Sequence, residues 1–203
     1  MKKTETTKNT EKNLREAFWK LYRERKDDHV SVKAITELAG YHRSTFYEYY
    51  KDSHNLLETI EEELLDRFES LYTTIFNSAD GRRIVDMIPL FFELHNEMGE
   101  YLYVLLGENG DLKFRYRLKD MIFAHIADFI GLDLEDARAR LTLEYLVSGG
   151  IAVSSACYQM ESAEIGDIFH VIRSHFSEGG LSALEPYSSN KEGLNILRYK
   201  FGC

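Results

Sequence analysis

Cysteine and proline are scarce in this sequence, with two of each among 203 residues. Cys157 and Cys203 form neither a CxxC pair nor a metal-ligand spacing, which argues against a thiolate metal site. So few thiols in a chain of this size are typical of a reducing compartment, and we therefore expect a cytoplasmic protein. The two prolines, Pro89 and Pro186, leave long stretches of the chain without a helix-breaking residue.

Long apolar runs are absent as well. The longest weakly charged stretch, residues 145–160, is interrupted by serine, glycine and glutamine, and it is too short and too polar to span a bilayer. The N-terminal sequence MKKTETTKNTEKN contains no apolar segment of the kind found in signal peptides. We expect no signal peptide and no membrane partner.

Positive charge is low overall but unevenly distributed. The formal net charge is −9, which by itself argues against a polyanionic partner. Residues 1–56, however, hold twelve Lys and Arg against nine Asp and Glu, a net of +3, whereas the other 147 residues have a net of −12. This asymmetry indicates two modules with different partners, the first of which is able to approach a nucleic acid.

Apolar residues recur at helical spacing along the chain, and no run alternates polar with β-branched residues as a half-buried strand would. The sequence predicts an all-α protein with an N-terminal helix-turn-helix domain over 1–56 and a helical regulatory and dimerisation domain over 57–203. The last residues form either a short terminal helix or a loose tail. About nine helices are predicted, at 10–26, 32–39, 43–49, 53–76, 82–97, 99–106, 112–130, 134–160 and 164–178.

The segment SVKAITELAGYHRSTFYEYY, residues 31–50, has the pattern of a helix-turn-helix. Ser31 is a good N-cap because its hydroxyl can accept from free backbone N–H groups of the first turn. Gly40 stands where a left-handed residue would end the helix. A second helix begins within three residues, which is the short turn that this DNA-binding motif requires.

The second helix has a core face and an outward face. At 100° per residue, Phe46 and Tyr50 lie together and are predicted to pack in the core. Ser44 and Thr45 lie on the opposite side, where small hydroxyl side chains can reach base edges in a major groove. Glu48 shares that side, and it either accepts from cytosine N4 or, as the favoured interpretation, pairs with a nearby Arg or Lys.

With the downstream residues KDSHNLL, this segment resembles the DNA-binding region of the TetR family of bacterial transcriptional regulators. The matching features include Ala39-Gly40, Thr45-Phe46-Tyr47, Lys51 and Leu56-Leu57. The alternative is a helical hairpin buried in a bundle. Together, the helical faces and the resemblance predict these DNA-contacting residues: Ser31, Lys33, Thr36, His42, Arg43, Ser44, Thr45, Tyr47, Tyr49 and Lys51.

The second module is implied by the resemblance to sense a ligand and to form a homodimer. Small residues recur on one stripe of the segment LEYLVSGGIAVSSACYQM and allow a partner helix to come close. The alternative is that this stripe packs inside its own subunit. The residues expected at the dimer interface are Gly149, Ala152, Ala156, Ile168 and Ile172.

Aromatic residues are frequent in the central helices, so an apolar pocket between helices is plausible, although core packing produces the same pattern. The expected lining residues are Tyr101, Phe114, Phe123, His125 and Tyr145. No GxSxG, Walker-type loop or HExxH motif occurs, and we expect no enzyme activity, cofactor or metal.

The sequence thus predicts a homodimeric repressor that an effector releases from a palindromic double-stranded DNA operator. The first alternative is a DNA-binding regulator or adaptor controlled by a partner protein instead of a small molecule. The second is an all-α enzyme with a vestigial helix-turn-helix, for which the sequence offers no catalytic set.

Overall fold

The secondary structure of the described chain is helical, as predicted. The computed structural model describes residues 2–24, 30–77, 84–107, 110–160, 164–175 and 179–201. Within these ranges no strand forms, and a single antiparallel bridge joins Leu132 to Ser188. A 3-10 helix covers Glu185–Tyr187. The α-helices are α1 (Lys2–Glu24), α2 (Val32–Ala39), α3 (Arg43–Tyr47), α4 (Ser53–Asn77), α5 (Ile84–Leu105), α6 (Leu112–Ile130), α7 (Ala137–Gln159), α8 (Ile165–His175), α9 (Leu181–Leu184) and α10 (Lys191–Phe201).

Both ends of α6 agree with prediction, and a capping residue marks each of them. The Asp111 carboxylate accepts from the backbone N–H groups of Lys113 (2.6 Å) and Phe114 (3.1 Å), so α6 begins where its N-cap places it. Gly131 ends the same helix with φ +55°, in the left-handed region that favours glycine. These local signals fix α6 at the predicted residues 112–130.

Other helix ends differ from prediction, including the start of α7, which follows its N-cap Asp136 and not residue 134. α5 is one helix over Ile84–Leu105, so the predicted break between residues 97 and 99 is wrong. A glycine inside a helix costs only about 1 kcal/mol, and neighbouring turns that pack against a core offset that cost. α1 begins at Lys2 instead of residue 10. Of the two alternatives for the last residues, the terminal helix is the one that forms, as α10, and it is preceded by α9 and the 3-10 helix.

The chain divides into two compact units, Met1–Glu63 and Leu64–Cys203, and the division falls inside α4. In the first unit, α1 packs on α2 and α2 packs on α3. An aromatic group lies at its centre, where the Trp19 ring stacks on the Tyr22 ring at 5.3 Å between centroids. The apolar residues buried in this unit are Leu14, Ala17, Phe18, Trp19, Tyr22, Val30, Ile35, Phe46, Tyr50, Leu56, Leu57 and Ile60.

The second unit has its own apolar core, built from α4 to α7, α9 and α10. Leu194 and Leu197 place α10 in this core, and both are at most 1% exposed. Backbone bonds hold the segment before α10 against the end of α6: the Ser189 N–H donates to Gly131 O (2.9 Å), and the Asn190 N–H donates to Ile130 O (3.1 Å). Residues 189–201 are therefore part of the folded unit.

Candidate nucleic-acid interface

The turn between α2 and α3 is formed by a left-handed glycine. Gly40 has φ +75°, and the following Tyr41 N–H donates to Thr36 O at 2.9 Å. The chain then runs extended through His42, whose carbonyl accepts from the N–H groups of Thr45 (3.0 Å) and Phe46 (3.4 Å). A residue with a Cβ at Gly40 would be strained at this φ, so the turn depends on glycine.

One side of α3 is anchored in the core, as predicted. Phe46 is fully buried and Tyr50 is 4% exposed, and their ring centroids are 5.6 Å apart. The Tyr50 hydroxyl donates to Glu11 Oε1 at 3.3 Å. Burial is the main cause that raises the pKa of Tyr50 well above its usual range, so the phenol stays protonated and keeps this bond to α1.

The opposite side of α3 faces solvent. Arg43, Ser44 and Glu48 are exposed, and Thr45 is half-buried. The Tyr47 side chain is 58% exposed. Helical structure ends at Tyr47 and not at residue 49, yet the Tyr50 N–H still donates to Phe46 O at 3.0 Å. The turn that follows therefore keeps Tyr50 on the buried side. We call Arg43, Ser44, Thr45, Tyr47 and Glu48 the α3 outer face.

The flanks of this face carry two further predicted contact residues. Tyr49 is half-buried, and its hydroxyl donates to the backbone carbonyl of Thr7 at 3.3 Å, which ties the ring to α1. Lys51 has an exposed side chain, while its backbone N–H donates to Asn55 Oδ1 at 3.1 Å. This bond fixes the main chain of Lys51 at the start of α4 and leaves the ammonium group in solvent.

The predicted residues on α2 and at its edges fall in different environments. Ser31 caps α2, because its Oγ accepts from the Ala34 N–H at 3.2 Å. Lys33 is exposed, and its Nζ lies 3.7 Å from Glu37 Oε1. His42 is exposed at the start of α3 and makes no side-chain capping bond. Thr36 departs from the prediction, because its side chain is 3% exposed and its hydroxyl donates to backbone carbonyls of its own helix. We leave Thr36 out of the interface.

In the second unit, α7 carries an exposed apolar stripe along its length. Gly149, Ala152 and Ala156 are exposed, and a Cβ added at Gly149 would meet no atom within 4 Å. The same face extends towards the N-terminal end of the helix at a spacing of four residues, to Tyr145 and Leu141. We call Leu141, Tyr145, Gly149, Ala152 and Ala156 the α7 stripe; sequence analysis missed Leu141, although the same spacing could have found it.

The opposite face of α7 contains the residues that pack inside the chain, including Ala139, Leu143 and Val147. Within the part of the chain that the structure describes, the small residues of the stripe are therefore exposed and not packed in the core. Ile168 differs from the expected interface role because it is 7% exposed and its side chain is covered by its own chain. The Ile172 side chain lies outside the described residues.

Comparison with known proteins identifies the fold. No protein-family model and no curated protein matches the chain. A crystal structure of a TetR transcriptional regulator from Streptococcus agalactiae 2603V matches with a TM-score of 0.57 and 17% identity, over 85% of this chain and 96% of that one. The chain has the TetR fold.

Within this TetR fold, the aromatic residues predicted to line a pocket do not share one environment. Phe123 packs against the core of the second unit, and Phe114 is fully buried at the start of α6. Tyr101 on α5 is half-buried. Tyr145 is 74% exposed as part of the α7 stripe, so its assignment to an interior pocket is wrong.

His125 on α6 is held in an aromatic stack. Its ring lies parallel to those of Tyr72 and Phe76, at 5.9 and 5.8 Å between centroids. Its Nε2 lies 3.0 Å from Glu69 Oε2. Burial raises the pKa of the Tyr72 hydroxyl to about 12. Tyr72, Phe76 and Glu69 all lie on α4, so His125 joins α4 to α6 within the second unit.

None of the described helices is long and apolar enough to cross a membrane. In the same part of the chain, no three His, Cys, Asp or Glu side chains come together as metal ligands would.

Proposed function

We propose that this protein is a homodimeric, sequence-specific DNA-binding transcriptional regulator, and that it is a repressor released from a palindromic operator by an effector. The observation that carries the proposal is the division of α3: Phe46 is fully buried, whereas Ser44 and Tyr47 on the α3 outer face are exposed. A helix anchored on one side, with small hydroxyl groups and a tyrosine on the other, suits insertion into a major groove.

Four of the predicted contacts have positions that support a specific role. Ser44 and Thr45 contact base edges, because short side chains let the helix approach the bases. Tyr47 and Lys51 contact phosphates and set the position of the helix on the duplex, whereas the Tyr49 hydroxyl proton already goes to Thr7 O. The net charge of +3 on residues 1–56 supports the same approach to DNA, in contrast to −12 on the rest of the chain.

The homodimer is proposed from the α7 stripe. An apolar face exposed over most of a 23-residue helix would be costly in a monomer, and its small residues suit close packing against another helix. A two-fold dimer also presents two α3 helices, one to each half-site of a palindrome whose half-sites lie about 34–36 Å apart.

Regulation is proposed to act through the domain of residues 57–203. An effector that favours one spacing of the two α3 helices over another changes operator affinity through linkage. Phe123 and His125 remain the proposed effector contacts, since both lie beside the helical core where a small apolar ligand would bind.

Two substitutions on the α3 outer face test the proposal. We expect Thr45→Ala to weaken binding to a site selected from random double-stranded DNA by about 1–3 kcal/mol and to relax the preference at one position. We expect Tyr47→Ala to weaken binding on all sequences. Fluorescence anisotropy with labelled duplexes measures both, and Tyr116→Ala, which removes a tyrosine of similar exposure (60%) from α6, is the matched control. Unchanged affinity in both variants would show that α3 does not contact DNA.

Lys51→Ala gives a different signature. Because a phosphate contact carries no sequence information, we expect equal weakening on the selected site and on random DNA. The slope of log K against log salt should fall by about one, since one fewer counterion is released. Lys113→Ala makes the same charge change at an exposed position of α6 and should leave the slope unaltered. An unaltered slope for Lys51→Ala would remove this residue from the interface.

A further inference from the structure

Glu48 occupies a position on the α3 outer face that the fold does not explain. It is the C-cap residue of α3, with helical backbone angles (φ −74°, ψ −21°), and its N–H donates to Thr45 O at 3.3 Å. Because the backbone is still helical, its side chain shares a face with Ser44, one turn earlier. Both side chains are exposed.

Within the chain, the carboxylate of Glu48 has an unfavourable local environment. A negative charge at the C-terminal end of a helix opposes the helix dipole instead of complementing it. The ion pair predicted for Glu48 does not form among the described residues, where neighbouring pairs such as Lys33–Glu37 and His54–Glu58 use other carboxylates. The described contacts therefore give Glu48 no stabilising role.

Against DNA, a carboxylate on this face has few acceptable partners. Phosphate oxygens repel it, and the N7 and O6 atoms of guanine and the O4 atom of thymine are acceptors that cannot donate to it. The exocyclic amines of cytosine and adenine are the major-groove donors. Adenine places its N7 acceptor beside its amine, whereas cytosine N4 has no acceptor next to it on the same base, so a carboxylate favours cytosine.

We propose that Glu48 selects a cytosine in each operator half-site by accepting a hydrogen bond from its N4 amine. The inference rests on the proposed DNA-binding function and adds a base identity to it. The repulsion between the carboxylate and the duplex is offset only where this amine is present, so Glu48 contributes discrimination at the expense of general affinity.

The test compares the full-length protein with Glu48→Gln and Glu48→Ala in parallel selections from random double-stranded DNA, followed by affinity measurements on the selected duplexes. We expect the unmodified protein to enrich a cytosine at one position of each half-site. Glutamine pairs bidentately with adenine, so Glu48→Gln should shift that position towards adenine, and Glu48→Ala should lose the preference there. Replacing the cytosine should weaken the unmodified protein by about 5- to 150-fold, equivalent to about 1–3 kcal/mol, and should affect Glu48→Ala little.

The control is Glu62→Gln, which removes the same charge from an exposed position of α4 in the same compact unit. It should leave the selected sequence unchanged. If Glu48→Gln also leaves the sequence unchanged and raises affinity equally on all duplexes, Glu48 only repels phosphates and the inference is wrong while the proposed function stands. If the unmodified protein enriches no sequence at all, both fail.

Discussion

Replacement of Phe46 by alanine is expected to lower the free energy of unfolding of the N-terminal unit by about 3–5 kcal/mol. The ring is fully buried, lies 5.6 Å from the Tyr50 ring and meets the Tyr47 ring edge-on at 5.7 Å. Its removal leaves a cavity beneath a helix of only five residues, which has few bonds of its own to hold it in place. Stability and the orientation of the α3 outer face should therefore be lost together.

The single tryptophan makes this measurement specific to one unit. Trp19 is 4% exposed and stacks on Tyr22 in the same compact unit as Phe46, so its fluorescence in urea follows the unfolding of that unit. Ser44→Ala is the matched control on the same helix, and its exposed side chain should change stability by no more than about 0.5 kcal/mol. A loss below about 1 kcal/mol for Phe46→Ala would contradict the assignment of Phe46 as the anchor.

The second large effect is expected from an arginine on the α7 stripe. Ala152→Arg places a long cationic side chain at the centre of the proposed dimer interface, where it prevents close helix packing and leaves a buried charge without a partner. We expect a monomer at micromolar concentration. Because two linked half-site contacts bind more tightly than one, affinity for the selected palindrome should fall by about 10²- to 10⁴-fold.

Sedimentation velocity and duplex binding measure the two parts of this prediction. The control is Ala124→Arg, the same substitution at an exposed position of α6, which should remain dimeric and bind normally. Trp19 fluorescence should be unchanged in both variants, because neither residue lies in the N-terminal unit. A dimer that persists in Ala152→Arg would mean that the α7 stripe is not the interface.

Local chemistry is what made parts of this structure predictable. Ser31 and Gly40 determine where α2 begins and ends through a side-chain cap and a left-handed backbone, and neither depends on distant residues. The burial of Phe46 and Tyr50 was likewise predictable. Two aromatic rings four residues apart lie on the same side of a helix, and folding is favoured when their apolar surface is removed from water.

Longer-range features were not predictable in the same way. Gly99 does not break α5, because the continuity of a helix depends on what its turns pack against and not on one residue's propensity. Thr36 shares a helix with exposed residues, yet it is buried, since α1 and α3 both pack on α2. The His125 stack joins residues far apart in sequence, and no periodicity connects them.

The sequence by itself determined the all-α class, the helix-turn-helix and the two-sided character of α3, because these follow from spacing, capping and charge. Only the tertiary structure decided which faces stay exposed: it covered Ile168 and left Tyr145 and the α7 stripe in solvent. The physical reason is that helical periodicity shows which residues share a face, whereas the element that covers a face is chosen by packing between segments distant in the chain.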